Sequence, residues 1–376
     1  MVEFLVRPFV IIVVFWLLFF VNGLVDKIIL RNSGIPGWAI VLVLFCVGLL
    51  LSARRKEVIR LPEYTLIVLF LACLPSFFSF FNAYSLSVLS IPFCFYLLAK
   101  LDRSWSSTLK ERQFIVDVGL FVSLLSLLMF MYYFFLAPPT FGVDPTRPGF
   151  GYAIDRGTTL RLVGFADDPN FFTIAAILPL LIVLADSEIK RRKIALIFLV
   201  TAMFFSLSRT GLAALVVGLC GLFLLKRSKV VLWIPVFAAV GLMLLLSLDL
   251  VFEQLSLSQS ASSRGLEEGL ESRLNLINLL LRYESISLLG NGFGYSKELI
   301  GLHSHNTYFD FLFEGGAISF AVFLGFLLIV TLRNFPLTNV FQVYSLCIFV
   351  CIFGVSLPFY PLLYLLPLLA LRYDHR

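Results

Sequence analysis

Long apolar runs separated by short polar stretches account for most of the chain. A helix that crosses a bilayer needs about 20 apolar residues, each adding about 1.5 Å of rise. By that measure we identify about twelve spanning segments. They are residues 4–25, 37–52, 64–81, 86–99, 114–137, 170–185, 194–207, 211–225, 230–248, 307–332, 338–355 and 358–371. The pattern predicts an all-α, polytopic integral membrane protein whose single transmembrane domain covers residues 1–376.

Two long polar stretches interrupt this pattern, at residues 138–168 and 249–306, and we expect both to be loops. Inside the second, apolar side chains repeat at helical spacing over residues 266–283, with most charged side chains on the other side. That spacing predicts an amphipathic helix. Such a helix either lies on the membrane surface or caps the bundle.

Basic residues cluster in four short loops, at residues 54–60, 100–112, 190–193 and 226–229. Short loops rich in Lys and Arg stay in the cytoplasm. The four clusters all fall on loops of the cytoplasmic side if the N-terminus is cytoplasmic, and the C-terminus is then cytoplasmic too. Both long loops and the short turn at residues 206–210 then face outward. Attraction to the anionic lipid of the inner leaflet explains the clusters, so we expect membrane lipid and no nucleic acid as their partner.

The composition supports placing most of the chain in lipid. The sequence is 60% hydrophobic and its mean hydropathy is +0.98, which excludes an ordinary soluble globular domain. All six cysteines lie in apolar segments, without the His or carboxylate neighbours that a metal site needs. We interpret them as small apolar packing residues.

Arginine is prominent among the few charges of the outer face. A guanidinium gives phosphate oxygens two parallel hydrogen bonds, so Arg161, Arg209 and Arg273 are candidates for binding phosphate. Arg209 is the most informative, because it lies in a tight turn between two apolar helices, where a charge is costly. The alternative is an interfacial arginine bonded to helix-end carbonyls. Arg273 taken alone would fit a solvated helix charge.

Asp168-Pro169-Asn170 carries a strong helix-start signal, an Asp at the N-cap followed by proline at the first helical position. We expect Asp168 chiefly to cap this helix, and we keep Asp168 and Asn170 as candidate substrate-binding residues. A metal site on Asp167 and Asp168 is not expected, because no His or Glu follows at ligand spacing.

Two of the three histidines, His303 and His305, precede the apolar segment 307–332. An imidazole at the membrane boundary can accept a proton from a hydroxyl while the lipid tail of a substrate stays in the bilayer. His305 is therefore the candidate base, the alternative being a helix-start residue bonded to the backbone. His303 is a weaker candidate for binding substrate.

Asn306, Asp310 and Glu314 follow His305 at intervals of four residues, so they share one helix face. Asn306 and Glu314 are candidate substrate-binding residues, and we expect the two acids to pair with outer-face arginines. Gly315-Gly316 then leaves room for another helix or a lipid to come close.

Four short motifs between residues 164 and 319 resemble, in their order, those of the O-antigen ligase and polymerase family of bacterial surface-polysaccharide enzymes. They are Gly164-Phe165-Ala166-Asp167-Asp168-Pro169-Asn170, then Ser208-Arg209-Thr210-Gly211, then Arg273 with Gly290-Asn291-Gly292-Phe293-Gly294, and last His305-Asn306 with Gly316. Their order on a matching topology makes the resemblance specific. Ser319 departs from the Gly, Thr or Tyr of the ligases.

The resemblance implies an inverting, metal-independent and cofactor-free glycosyltransferase in the bacterial inner (plasma) membrane, with its active site on the periplasmic or extracellular face. Its donor would be a polyprenyl-diphosphate-linked oligosaccharide, and its acceptor a glycan or a lipid. Arg209 and Arg273 would bind the charge that grows on the diphosphate, and His305 would take the proton of the acceptor hydroxyl. Polysaccharide-assembly proteins are further candidate partners.

Three functions fit these residues. One is a polymerase that moves glycan onto a lipid-linked repeat unit, and another is a ligase that moves finished glycan onto a lipid or protein. The third, of a different class, is a transporter or flippase, which would place its polar groups near the bilayer midplane. Here they gather at the outer face, so we place the transporter third; the polymerase is the first hypothesis and the ligase the second.

Overall fold

The structure is a computed structural model. It describes residues 8–21, 61–99, 108–136, 153–155, 160–166, 168–226, 266–301, 304, 306–334, 337–352, 355, 357, 358, 360–364 and 366–369. Most of these residues are helical. The chain divides into two compact units, the first made of Met1–Phe15, Trp38–Ser106 and Leu270–Arg376, and the second of Trp16–Gly37 and Ser107–Gly269.

The described helices are numbered in chain order. They are α1 (Pro8–Phe20), α2 (Leu61–Ser79), α3 (Ala83–Ala99), α4 (Leu109–Leu136), α5 (Pro169–Ala185), α6 (Arg192–Ser206), α7 (Arg209–Lys226), α8 (Leu266–Tyr283), α9 (Tyr295–Ile300), α10 (Thr307–Phe309), α11 (Gly316–Asn334), α12 (Val340–Cys351), α13 (Pro361–Tyr364) and α14 (Leu366–Leu369). A π-helical segment, Asp310–Glu314, lies between α10 and α11. Two strands, β1 (Ala153–Asp155) and β2 (Leu160–Leu162), lie between α4 and α5.

In the second unit α5 is the central helix, and α4, α6 and α7 pack against it. Trp16 from α1 donates its Nε1–H to the carbonyl of Ala175 in α5 at 2.8 Å. Gly119 allows α4 to approach α5 closely, since a Cβ at that position would lie 2.6 Å from Cγ of Pro179. Small residues at such crossings are typical of closely packed apolar helices.

A short antiparallel hairpin lies within the predicted outer loop 138–168. Its strands β1 and β2 pair with Ile154 opposite Arg161. The sequence did not predict it, because three-residue strands are too short to show the alternation of a half-buried strand. β2 packs against α4 and α6, which places Arg161 beside the end of α6.

In the first unit α2 and α3 form a hairpin, and α11 packs against α2. The hydroxyl of Ser319 in α11 donates to the carbonyl of Ala72 in α2 at 2.6 Å, a helix-to-helix bond that glycine at this position could not make. Cys73, Cys347 and Cys351 are buried and form no disulfide bond. This agrees with the interpretation of these three cysteines as small apolar packing residues.

The predicted apolar helix 307–332 is divided in the structure into α10, the π-helical segment and α11. The division falls at Gly316, whose φ is +86°. A loop fills this break: the amide of Gly292 donates to the Glu314 carbonyl at 2.9 Å, and a Cβ on Gly316 would lie 2.3 Å from the backbone nitrogen of Gly290. The glycines here therefore make room for a loop of the same unit, rather than for a helix or a lipid.

The predicted amphipathic helix is confirmed as α8, with the predicted bounds. Leu280 from this helix is buried in a cluster with Phe309 and Phe313. This part of its apolar side therefore packs on protein, as a capping helix does.

Two of the described helices are long and apolar enough to cross a membrane, α4 over Leu109–Tyr132 and α11 over Gly316–Arg333. Several of the other predicted spans are present as shorter apolar helices. The predicted segments 37–52 and 230–248 lie outside the described residues, so the count of about twelve spans stays a prediction.

The two long apolar helices expose large hydrophobic side chains at helical spacing. Phe121 and Leu128 project from α4, and Leu328 and Leu332 from α11, each more than half exposed. Exposed apolar surface of this extent is unusual on a soluble monomer and suits contact with lipid.

Candidate functional site

The start of α5 has the cap that the sequence predicts. Asp168 has extended backbone angles, and its Oδ1 accepts a hydrogen bond from the amide of Asn170 at 2.7 Å. Pro169 occupies the first helical position. Asp168 is therefore a helix cap, and a contact between Asp168 and substrate stays a prediction.

Ser208 joins the start of α7 to the start of α5. Its buried hydroxyl accepts from the amide of Gly211 at 2.9 Å, which caps α7. The same hydroxyl donates to Oδ1 of Asn170 at 2.7 Å. This bond orients the amide with its Oδ1 toward Ser208, so the donors of the Asn170 side chain are the two hydrogens of Nδ2. Two helix N-termini thus lie side by side.

Gly211 accounts for the close approach of α7 to α5. A Cβ at this position would lie 2.1 Å from Cγ2 of Thr173, far inside any contact distance. Thr173 is also held in place, since its hydroxyl lies 2.9 Å from the Pro169 carbonyl and 2.6 Å from Oγ of Ser206. The last residue of the Ser-Arg-Thr-Gly turn is therefore required by packing alone.

Gly211→Ala is expected to lower the free energy of unfolding by about 1–3 kcal/mol, because the added methyl group overpacks the contact with Thr173. Gly325→Ala in α11 is the matched control: a Cβ there has no atom within 4 Å, so the change should be neutral or stabilise by about 0.5–1 kcal/mol. Thermal unfolding of both variants measures the difference. Equal melting temperatures would contradict the close approach of α5 and α7.

Arg209 is the first residue of α7 and is half-buried. Aligned peptide dipoles give each helix N-terminus a charge of about +0.5. The two adjacent N-termini therefore add to the guanidinium charge instead of compensating it. Backbone N–H groups at such ends bind phosphate and carboxylate groups, and at the start of α5 the Asp168 carboxylate already accepts one of these hydrogen bonds.

Arg161 makes contacts that the sequence did not predict. Its Nε donates to the carbonyl of Ser206 at 3.1 Å, and its Nη2 donates to the carbonyl of Leu207 at 2.9 Å. Carbonyls at the C-terminal end of a helix are favourable partners for a cation. No local signal reveals this role, because the partners are 45 and 46 residues away in the chain. Substrate binding by Arg161 stays a prediction.

The turn between α6 and α7 is strained at Leu207. Its φ of 50° and ψ of 34° lie in the left-handed region, which costs a residue with a side chain roughly 1–2 kcal/mol. Glycine is the usual residue at this point after a helix. Strain of this kind persists only where surrounding contacts hold it, and it is common in functional turns.

In the first unit Asn306 begins α10 as its N-cap, with Oδ1 accepting from the amide of Phe309 at 3.1 Å. Ser304 is fully buried. Its hydroxyl accepts from the Asn306 amide at 3.0 Å and donates to Oδ1 of Asp310 at 2.5 Å. The residues on either side of position 305 are therefore tied to the same helix start.

Glu314 is fully buried, and both of its carboxylate oxygens accept backbone hydrogen bonds. Oε2 accepts from the amide of Gly294 at 2.9 Å and Oε1 from the amide of Ser296 at 3.0 Å. In the described part of the chain, backbone amides thus hold Glu314 in place of the arginine that we expected. A contact with substrate stays a prediction.

The Gly-x-Gly segment is a tightly packed loop. Gly290, Gly292 and Gly294 all have φ between +86° and +100°. A Cβ on Gly292 would lie 2.2 Å from Cβ of Phe80, and one on Gly294 would lie 2.7 Å from Cδ2 of Tyr84. The backbone thus needs glycine at these positions for its own packing, independently of any ligand.

His303, His305 and the side chain of Arg273 lie outside the described part of the chain, although the backbone of Arg273 belongs to α8. Their roles stay predictions. Within the described ranges, no group of three or more His, Cys, Asp or Glu side chains is arranged to hold a metal ion.

Comparison with known proteins gives no match: no protein-family model, no curated protein and no solved structure is significantly similar to this chain.

Proposed function

We propose that the chain is a membrane-embedded glycosyltransferase that polymerises a surface polysaccharide, moving glycan from a polyprenyl diphosphate onto a lipid-linked acceptor sugar. The observation that carries this proposal is the pairing of two helix N-termini through Asn170 and Ser208, with Arg209 as the first residue of α7. Backbone N–H groups, an amide Nδ2 and a guanidinium form a donor set that suits a diphosphate.

The chemistry of the transfer explains why fixed donors would help. The bond between the anomeric carbon and the phosphate oxygen breaks, so negative charge grows on the departing polyprenyl diphosphate. Donors already oriented toward that charge stabilise the transition state more than the ground state. We assign this role to Arg209, and by the family resemblance to Arg273 as well.

A base must accept the proton of the acceptor hydroxyl as its oxygen bonds to the anomeric carbon, and we assign this role to His305. Imidazole is suited to it because its unperturbed pKa of about 6.5 leaves it largely neutral at physiological pH. The contacts of Ser304 and Asn306 give the chain a defined path on both sides of this position.

We propose a multi-pass protein of the bacterial inner (plasma) membrane, with cytoplasmic termini and an outward-facing site. α6 runs from the basic stretch 190–193 at one end to the turn at residues 206–210 at the other. Its 15 residues span about 22 Å at 1.5 Å per residue. If the basic end stays in the cytoplasm, Arg209 faces outward, where lipid-linked glycan would be available.

The test is to supply purified protein in lipid nanodiscs with a polyprenyl-diphosphate oligosaccharide as the only substrate. We expect a ladder of products spaced by one repeat unit, together with released polyprenyl diphosphate. Product that forms only after a separate acceptor is added would indicate the ligase. An unconsumed donor, with or without acceptor, would contradict glycosyl transfer and favour a transporter.

In the same assay, EDTA is expected to leave the initial rate unchanged, because the donor set proposed for the diphosphate consists of nitrogen–hydrogen groups and needs no cation. A matched sample containing EDTA and excess Mg²⁺ controls for effects of the chelator on the membrane. Strong inhibition that Mg²⁺ reverses would contradict the metal-independent mechanism.

A further inference from the structure

We propose that Arg161 is a positioning residue: it holds the turn that carries Arg209, and it does not bind substrate itself. This inference rests on the proposed function, in which Arg209 binds the diphosphate of the donor. It assigns to Arg161 a role different from the phosphate contact that its residue type suggests.

The guanidinium of Arg161 is fully engaged with the end of α6 on one of its edges. Arg161 donates through Nε and Nη2 to two consecutive carbonyls, those of Ser206 and Leu207. The guanidinium is planar, and two bonds from one edge fix both its distance and its orientation. Its backbone is held too, because β2 pairs with β1 and packs on α4 and α6. Arg161 is therefore a fixed support for the end of α6.

The turn between α6 and α7 needs such a support. Leu207 has left-handed backbone angles without being glycine. Ser208, the next residue, is held by its buried bond to Asn170, and Arg209 follows directly. With Arg161 on one side and Asn170 on the other, the direction in which the chain enters α7 is determined. Without Arg161, Leu207 is expected to relax toward ordinary backbone angles and to displace Arg209.

Four variants separate positioning from direct binding. Arg161→Gln should lower kcat/KM for the polyprenyl-diphosphate oligosaccharide about 10- to 100-fold, the loss expected for a misplacement of about 1 Å. Arg161→Lys should be nearly as impaired, because one ammonium cannot reproduce the two-carbonyl contact. Leu207→Gly should remain near the wild-type rate. Combined with Arg161→Gln, Leu207→Gly should recover at least about 5-fold, since glycine adopts the left-handed angles without support.

Arg192→Gln is the matched control. Arg192 also donates from Nε to a helix-end carbonyl, that of Val183 at 2.9 Å, but at the opposite end of α6, about 20 Å away along the helix. Its removal costs one such capping bond, where Arg161→Gln costs two, so it should lower thermal stability by somewhat less and leave kcat/KM within about 3-fold of wild type.

A second measurement needs no substrate. In Thr210→Cys, the rate of alkylation of the new thiol, with the background of the parent chain subtracted, reports exposure of the turn. Adding Arg161→Gln should raise that rate several-fold, and adding Leu207→Gly as well should bring it back. Adding Arg192→Gln should leave it unchanged.

Two results would overturn the inference while the proposed function stands: an impaired Arg161→Gln variant that Leu207→Gly does not rescue, or an Arg161→Gln variant with full activity. The former would make Arg161 a direct phosphate ligand. Absence of turnover by the wild-type protein in the donor assay would instead overturn the proposed function, and the inference with it.

Discussion

Arg209→Lys is expected to lower kcat/KM for a polyprenyl-diphosphate oligosaccharide about 10- to 100-fold, and Arg209→Gln about 1,000-fold. Lysine keeps the charge but loses the second hydrogen bond of the guanidinium. Glutamine loses both the charge and that second hydrogen bond. Removing one fixed donor from a developing negative charge costs about 10²–10³ in rate. Initial rates with purified protein in nanodiscs measure the effect.

The stability of the Arg209 variants separates function from folding. A cation at a helix N-terminus opposes the helix dipole by about 0.3–1 kcal/mol, so we do not expect Arg209→Gln to melt much below wild type. Arg112→Lys is the matched control: Arg112 pairs with Asp186 at 2.9 Å, a partly exposed ion pair worth about 0.2–1 kcal/mol. A similar loss of rate in Arg209→Lys and Arg112→Lys, or no loss in either, would count against phosphate binding by Arg209.

His305→Ala is expected to reduce polymer formation by about 10²–10⁴, the usual contribution of a positioned general base. The protein should still accumulate in the membrane and still bind the donor, because the base acts on the acceptor and not on the diphosphate. Product length on a gel, together with donor binding by the same preparation, measures both properties.

Two other histidines provide controls for His305. His375 lies in the C-terminal tail, far along the sequence from His305-Asn306. His375→Ala should leave product length unchanged. His303→Ala tests whether the neighbouring imidazole can substitute, and we expect a smaller loss than at His305. Product of wild-type length from His305→Ala would refute its role as the base.

Features set by local chain chemistry could be predicted from the sequence. The cap at Asp168 depends on residues within two positions of it, and the structure has it as expected. The bounds of α8 follow from its apolar spacing over five turns. In both places a single stretch of sequence contains all the information that the element needs.

Features set by distant contacts could not be predicted. The π-helical segment ending at Glu314 depends on amides of Gly292, Gly294 and Ser296, which come from a separate loop. Arg161 likewise looked like a phosphate ligand because its carbonyl partners belong to the end of α6. In an apolar chain, a polar group has few partners to choose from, and the spacing along the sequence does not reveal which one it meets.

The glycines show both what the sequence indicates and what only the structure reveals. Gly211 ends the Ser-Arg-Thr-Gly motif, and the structure adds a packing reason for it, since α5 leaves no space for a Cβ there. Gly316 was expected to admit a helix or a lipid, whereas Gly290 of the adjacent loop occupies that space. Gly211 and Gly316 thus both mark a close approach, but the sequence does not show which part of the chain approaches, and Gly325 in α11 marks none.

The central claim is that the diphosphate of the donor binds where α5 and α7 begin. The most direct measurement is photo-crosslinking with a polyprenyl-diphosphate oligosaccharide that carries a diazirine beside the diphosphate, followed by identification of the labelled peptides. We predict labelling of residues 168–173 and 206–211, lost in Arg209→Gln. Labelling at the other ends of the same helices, around residues 183–192, or labelling that Arg209→Gln leaves unchanged, would contradict the claim.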